Sequence, residues 1–282
     1  MKEKIRREID DFVGTSPLNK MEEFAGSYYD VPLVGFADAK DPYFRELKAI
    51  IGDFHMTPEE FFDHSFGAGS FRGGTVVVWV LPFSIALRDR SRPCTSLPSK
   101  EWAHGRYYGE MFNEELRRHV VDFLLRQGYP TLAPSLSPAW ERLQDPRVGH
   151  ASRWSERHAA HAAGLGTFSL SDGLITARGI AHRVGSVVTE LAVAADKRPY
   201  RGPYDYCLKY NSATCGACIT RCPSGALSEK GHDKDRCYEY IRQVVMPSVN
   251  DAYRVSTPSC GLCQVGVPCE SRIPERDRMQ AI

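Results

Sequence analysis

The chain has 282 residues, 42% of them hydrophobic and 25% charged, the composition of a globular protein able to bury its own core as one large domain or two unequal ones. A formal net charge of +1 offers no global electrostatic reason for binding nucleic acid or a membrane surface. No apolar run reaches the roughly 18 residues of a membrane span, and Arg6 and Arg7 have no apolar stretch behind them, so a soluble, unexported, cytoplasmic protein is expected.

In chain order, Ile5, Ile9, Phe12 and Val13 recur at helical spacing among charges, predicting an amphipathic helix ended by Gly14. Asp41-Pro42 opens a second helix closed by Gly52, and Thr57-Pro58-Glu59-Glu60 is a capping box for a third. Thr75 to Leu81 reads as a buried strand. Met111 to Gln127 is an amphipathic helix with Leu116, Val120, Phe123 and Leu124 on one face and Gly128 as its stop, followed by a short extended segment at Tyr129 to Ala133. Ser152 or Ser155 caps a helix through Ala163, the Gly164-Leu165-Gly166 turn breaks it, and Ser186 to Val193 reads as another strand. Helices and strands alternating in this way predict a layered domain of α/β or α+β class around a central sheet. Near Lys197 to Tyr206 the composition turns to Pro, Gly and Tyr, which places a boundary at about residue 200 and divides the chain into 1–200 and 201–282.

The nine cysteines are unevenly spread: Cys94 stands alone, and the other eight fall between Cys207 and Cys269. In a reducing compartment such clustering points to metal rather than disulfides. The core of the pattern is Cys215-Gly-Ala-Cys218-Ile-Thr-Arg-Cys222-Pro223, followed by Cys237, Cys260-Gly261-Leu262-Cys263 and Cys269. Closely spaced thiolates on a tight loop reach adjacent irons of one cubane, and a cysteine just before proline turns to a second cluster, as in two-cluster ferredoxins. In that crossed scheme Cys222 joins Cys237, Cys260 and Cys263, while Cys269 returns to Cys215 and Cys218. The fourth ligand of the latter cluster is sought at Cys207, because Ser212 occupies the position three before Cys215. Two [4Fe-4S] clusters are thus expected in a ferredoxin-like second domain. A zinc ribbon is the competing reading of the two C-x2-C pairs, but it leaves Cys222, Cys237 and Cys269 without a part. A weaker alternative leaves Cys207 unbound, with an open iron or a [3Fe-4S] core.

Here the sequence resembles the epoxyqueuosine reductases, a family related to reductive dehalogenases. The matching text is Ala103-His104-Gly105-Arg106-Tyr107-Tyr108 before a long helix, Glu156 ahead of Ala163-Gly164-Leu165-Gly166, Gly185-Ser186-Val187-Val188-Thr189-Glu190-Leu191, and then the double-cluster cysteines. The resemblance, from about residue 70 onward, implies a nitroreductase-like α/β sandwich that binds cobalamin base-off, with the two clusters feeding electrons to its cobalt. It also departs from the family at two points. His150 stands where the family has an aspartate acting as general acid six residues before the glutamate matching Glu156; a histidine can also donate a proton near neutral pH. The helical-repeat extension that grips tRNA is not present after Cys269, so tRNA is not expected as a partner.

The expectation is therefore a cobalamin-dependent reductase of a small molecule, with His150 as proton source and an external low-potential donor such as ferredoxin or flavodoxin. An activator that reduces a partner's corrinoid protein is the alternative, and an epoxyqueuosine reductase acting on tRNA the second one. Arg106, Gly164, Gly166, Gly261 and Leu262 are the candidate cofactor contacts, though glycine turns after helices and arginines at helix starts are also common for structural reasons alone. His158 and His161 share a helix face and serve either as ligands or as packed histidines. Cys94 reads as a free thiol, and no GxGxxG motif supports a Rossmann-type nucleotide site.

Overall fold

The computed structural model describes residues 1–275. Its first part runs α1 (Lys2–Thr15), β1 (Leu33–Asp38), α2 (Tyr43–Ile50), α3 (Pro58–Phe66), β2 (Thr75–Pro82), α4 (Ile85–Ser91), α5 (Lys100–Arg126) and β3 (Thr131–Leu132). The hairpin β4 (Arg142–Asp145) and β5 (Gly149–Ser152) follows, then α6 (Glu156–Ala162), a second hairpin of β6 (Gly166–Phe168) and β7 (Leu174–Thr176), and β8 (His182–Thr189). The cysteine-rich part holds α7 (Leu208–Ser212), α8 (Ala217–Thr220), β9 (Leu227–Ser228), β10 (Gly231–His232), α9 (Lys234–Tyr240) and α10 (Met246–Tyr253), the last two joined by a π-helical turn at Ile241–Val245.

A four-stranded antiparallel sheet in the order β1-β2-β8-β3 forms the centre. β2 is central and buried along its whole length, which is why Thr75 to Pro82 reads as a nearly unbroken apolar run. Its alternate side chains feed two cores. Val77, Trp79 and Leu81 pack with Ile5, Ile9 and Val13 of α1 and with Phe112, Leu116 and Val120 of α5. Val76, Val78 and Val80 pack with Phe44 and Leu47 of α2, Phe61 and Phe62 of α3, and Ala159, Ala160 and Ala162 of α6. The result is a mixed α+β fold, a sheet covered by helices on both faces. Among the described residues no helix is long and apolar enough to cross a membrane.

Several boundaries differ from the sequence expectation. α1 continues one residue past Gly14 and stops at Ser16, ahead of Pro17. α5 begins at Lys100 rather than near Met111, with Ser99 Oγ accepting from the Trp102 N–H at 3.1 Å as its cap. Residues 103–108 therefore lie inside the helix rather than before it. Gly105 and Gly109 do not break it: a Cβ at Gly105 would come 2.3 Å from Leu87 Cδ2, and one at Gly109 2.5 Å from the Tyr29 hydroxyl. These glycines serve close packing against α5. β8 likewise spans His182–Thr189, earlier than Ser186 to Val193, since Thr189 pairs at once with Thr75 and Thr131 and ends the ladder.

The capping box at Thr57 is complete, with Thr57 Oγ1 accepting from the Glu60 N–H (3.2 Å) and the Glu60 carboxylate accepting from the Thr57 N–H (2.7 Å). Beside it, His55 is 0% exposed, its two ring nitrogens lack hydrogen-bond partners among the described residues, and it stacks on Trp154. Burial, with help from Lys48, pushes its pKa down to about 4. Between the ordinary value near 6.5 and about 4 the unfolded chain takes up a proton that folded His55 refuses. The stability from keeping this ring neutral is thus complete above pH 6.5 and lost as pH falls toward 4. On the order of 3 kcal/mol is at stake. Urea unfolding of wild type and His55→Leu across this range is expected to show a shallower acid loss in the variant; parallel pH profiles would refute it.

Candidate metal centre and adjoining cavity

All nine cysteines are free thiols in the structure. Eight of them stand as two neighbouring quartets. Cys218 and Cys269 interact with each other and with Cys207 and Cys215. Cys260 and Cys263 interact with Cys222 and Cys237, and Cys263 also feels Cys218 across the gap between quartets. Cys207 is buried in a small apolar cluster with Leu170, Ile175, Ile180 and Val267, against which Cys218 and Cys269 pack. Cys94 belongs to neither quartet; its thiol faces the Arg90 carbonyl at 3.6 Å.

The electrostatics fit a cationic iron–sulfur core. Burial, then Cys215 and Cys207, push the Cys218 thiol up to about 11; burial and the thiols of its own quartet push Cys260 up to about 12, and Cys263 and Cys269 also rise. Four thiolates packed this closely would repel one another unless metal charge offset them, so metal binding at such a quartet would go together with deprotonation. Cys222 is the exception. Burial acts against its thiolate, but the Ser224 hydroxyl and the backbone at Leu227, Ala226 and Ser224 outweigh it and lower the pKa. Such hydrogen bonds to sulfur are a device by which proteins tune clusters. Among the described residues no group of three or more His, Cys, Asp or Glu converges as ligands of a single ion would. Cubane ligands need no such convergence, because each binds a separate iron.

Beside the quartets lies a cavity of about 470 Å³ between α5, α6 and β8. Five arginines against three glutamates line it. Arg117, only 2% exposed, is the hub: its Nε and Nη2 donate to the two oxygens of Glu156 at 2.9 and 2.7 Å, and its Nη1 donates to Glu110 at 2.9 Å. Arg183 binds the other oxygen of Glu110 through Nε at 2.7 Å, and the Ser186 N–H donates to Glu156 at 3.1 Å. Burial would raise the Glu110 pKa, but Arg183, Arg117 and Arg106 hold it down at about 2. Arg106 lines the same cavity, and the neighbouring Arg183 charge and burial pull its pKa down to about 10.

The cysteine loops form part of this wall. Gln264, which follows Cys263, lines the cavity. So does Ile180, whose N–H donates to the Cys269 carbonyl at 2.9 Å. A second cavity of about 720 Å³ shares Arg157 with the first and is bordered by Tyr43, His158, His161, Tyr200 and Asp172. There His158 Nδ1 meets Ser155 Oγ at 2.7 Å and His161 Nδ1 meets the Gly166 carbonyl at 2.8 Å.

The remaining residues singled out in the sequence are placed differently. His150 lies on β5 but lines neither cavity; its ring packs on Tyr238 at 4.0 Å between centroids, with Nε2 3.8 Å from Asp235. Gly164 and Gly166 also line neither cavity. A Cβ at Gly164 would come 2.5 Å from the Lys197 carbonyl oxygen, and one at Gly166 2.3 Å from that of Ile175, so both admit neighbouring backbone. Leu262 is fully buried, and Gly261 holds a left-handed turn at φ +66°. Glu110, Arg117 and Arg183 escaped the sequence reading. A signal did exist: Glu110, Asn113 and Arg117 fall at i, i+3 and i+7, a polar stripe on an otherwise apolar helix face.

Removing one partner of a buried pair leaves the other charge uncompensated. Glu156→Gln is therefore expected to cost on the order of 3 kcal/mol in urea unfolding, and the double variant Arg117→Met/Glu156→Leu less than the sum of its single changes. Strict additivity would mean that the pair acts independently.

No protein-family model and no curated protein sequence matches the chain. Solved structures do. A selenomethionine-labelled epoxyqueuosine reductase superposes with a TM-score of 0.54 at 16% identity, covering 97% of this chain and 69% of that one. The epoxyqueuosine reductase from Streptococcus thermophilus gives 0.50 at 15%, covering 96% and 66%. A catabolic reductive dehalogenase in complex with 3-bromo-4-hydroxybenzoic acid gives 0.54 at 15%, covering 98% and 37%. This chain thus spans about two thirds of the length of the epoxyqueuosine reductases. Over nearly its whole length it is structurally similar to epoxyqueuosine reductases and to a reductive dehalogenase, and at these identities the likeness is one of fold.

Proposed function

We propose that the chain is an iron–sulfur reductase, with Cys207, Cys215, Cys218 and Cys269 holding one [4Fe-4S] cluster and Cys222, Cys237, Cys260 and Cys263 the other. In this reading residues 1–200 form a nitroreductase-like domain, residues 201–282 a ferredoxin-like one, and a cobalamin serves as the reducing centre. The observation that carries it is the shared wall: Gln264 and Ile180 tie both cysteine loops to the arginine-lined cavity.

When bound, the clusters supply single electrons and the corrinoid a strongly reducing metal. The cavity's donor set suits that partner in kind, since Arg106, Arg142, Ser135 and Ser152 offer hydrogen bonds to amide and phosphate oxygens. The chain's own residues bind and orient. Arg106 and Arg183 attract an anionic group, and Glu110 keeps Arg183 in place. His150 stands two residues before the cavity-lining Ser152 on β5, and in this reading it serves as proton donor by turning its ring from Tyr238 toward the cavity. The substrate is a small, negatively charged molecule.

The size of the cavity favours a second reading. About 470 Å³ is modest for a macrocycle and substrate together, which suits a protein that hands electrons to the corrinoid of a partner.

Anaerobic purification with iron and sulfide analysis, followed by addition of cobalamin, separates these readings. About eight irons per chain and a bound-cobalamin spectrum are expected. Eight irons without cobalamin binding would shift the assignment to the electron carrier, and stoichiometric zinc would overturn both. In Cys207→Ser one quartet loses a thiolate while the other is untouched, so its iron content is expected to fall with a three-iron signal appearing in EPR. An unchanged spectrum would remove Cys207 from the ligand set.

A further inference from the structure

Few buried side-chain polar atoms among the described residues lack a partner, and one of them stands at the second cysteine loop. Trp102 is 2% exposed in the first turn of α5, and its indole Nε1 has no hydrogen-bond partner. The ring is held firmly, its backbone N–H given to Ser99 Oγ and its face packed on Phe83 at 4.8 Å between centroids. Its nitrogen edge lies against Gly261, the residue between Cys260 and Leu262-Cys263: a Cβ there would come 2.0 Å from Nε1 and 2.1 Å from Cε2. Any side chain at Gly261 would push the indole away from the loop.

An indole N–H is a donor only, and burying it without an acceptor is costly. The loop carries two sulfurs of its quartet, those of Cys260 and Cys263, on either side of Gly261 and Leu262. Thiolate and sulfide atoms of a cluster accept such bonds, and hydrogen bonds to sulfur set cluster potentials. We infer that Trp102 Nε1–H donates a hydrogen bond to a sulfur of the cluster held by Cys222, Cys237, Cys260 and Cys263. Reduction adds one electron to that cluster and makes its sulfurs more negative. A fixed donor stabilises the reduced form more than the oxidised one, so Trp102 raises this cluster's potential and leaves the other alone. Gly261 then has a specific task, admitting the indole to the sulfur. The inference rests on the cluster assignment above.

The test uses anaerobically purified holoprotein, wild type and Trp102→Phe, with iron counted in each and potentials read by EPR-monitored titration. With eight irons in both, one midpoint is expected to fall in the variant so that its reduced-to-oxidised ratio at a fixed potential drops about tenfold, about 59 mV for one electron, while the other midpoint stays. Two unchanged midpoints would overturn the inference. Where Trp102→Phe fails to fold, reduced wild type grown on 15N-tryptophan decides: a nitrogen hyperfine coupling from indole in pulsed EPR upholds the hydrogen bond, and its lack refutes it. Wild type without its eight irons would instead refute the cluster assignment itself, a failure distinct from either of these.

Discussion

Arg117 ties together three of the elements around the cavity. A guanidinium that is 2% exposed has to spend its donors on fixed acceptors, and here they come from three elements: Glu110 on its own helix, Glu156 at the start of α6, and the Val184 carbonyl on β8. This ties α5 and α6 to opposite faces of one strand. Buried ion pairs of this kind contribute little net stability compared with an apolar core, but they tolerate few alternative geometries. The three charged groups that lock the helices, Arg117, Glu110 and Glu156, also line the cavity.

α5 carries that constraint to the cysteines. Its 27 residues extend roughly 40 Å, with Trp102 and Ala103 of the first turns packed on the cysteine-rich part and Arg117 at the cavity. Ala103 shares a core with Val245, Val249 and Val255 near Cys260. From the other side, Glu270 accepts from Arg88 of α4, from Arg92 just past its end and from the Gly266 N–H, pinning the loop after Cys269. A rigid helix and a buried carboxylate thus set where the two quartets sit relative to the arginines.

Some of this was legible in the residues. The apolar run at Thr75 to Leu81, the helical face of Leu116, Val120, Phe123 and Leu124 and the capping box at Thr57 are local patterns, and local physics alone dictates them. The boundaries that shifted have tertiary causes. Gly105 and Gly109 look like helix breakers in one dimension, yet Leu87 and Tyr29 occupy the space that side chains there would need. Gly164 and Gly166 looked like cofactor contacts for the same reason, and are surrounded by the protein's own backbone. Glu110 and Arg117 were overlooked because charged residues on a helix normally face water; only the packing of α6 and β8 over that face buries them.

By itself, the sequence determined a layered domain of helices and strands around a central sheet and eight cysteines clustered in its last third, because periodicity, caps and spacing are properties of neighbours along the chain. That Gln264 and Ile180 link the cysteine loops to one arginine-lined cavity, that His150 turns to Tyr238 and that Trp102 reaches Gly261 were decided only by the tertiary structure. These are contacts between residues tens to well over a hundred positions apart. No local rule reaches that far; they follow from how two cores on opposite faces of β2 are filled.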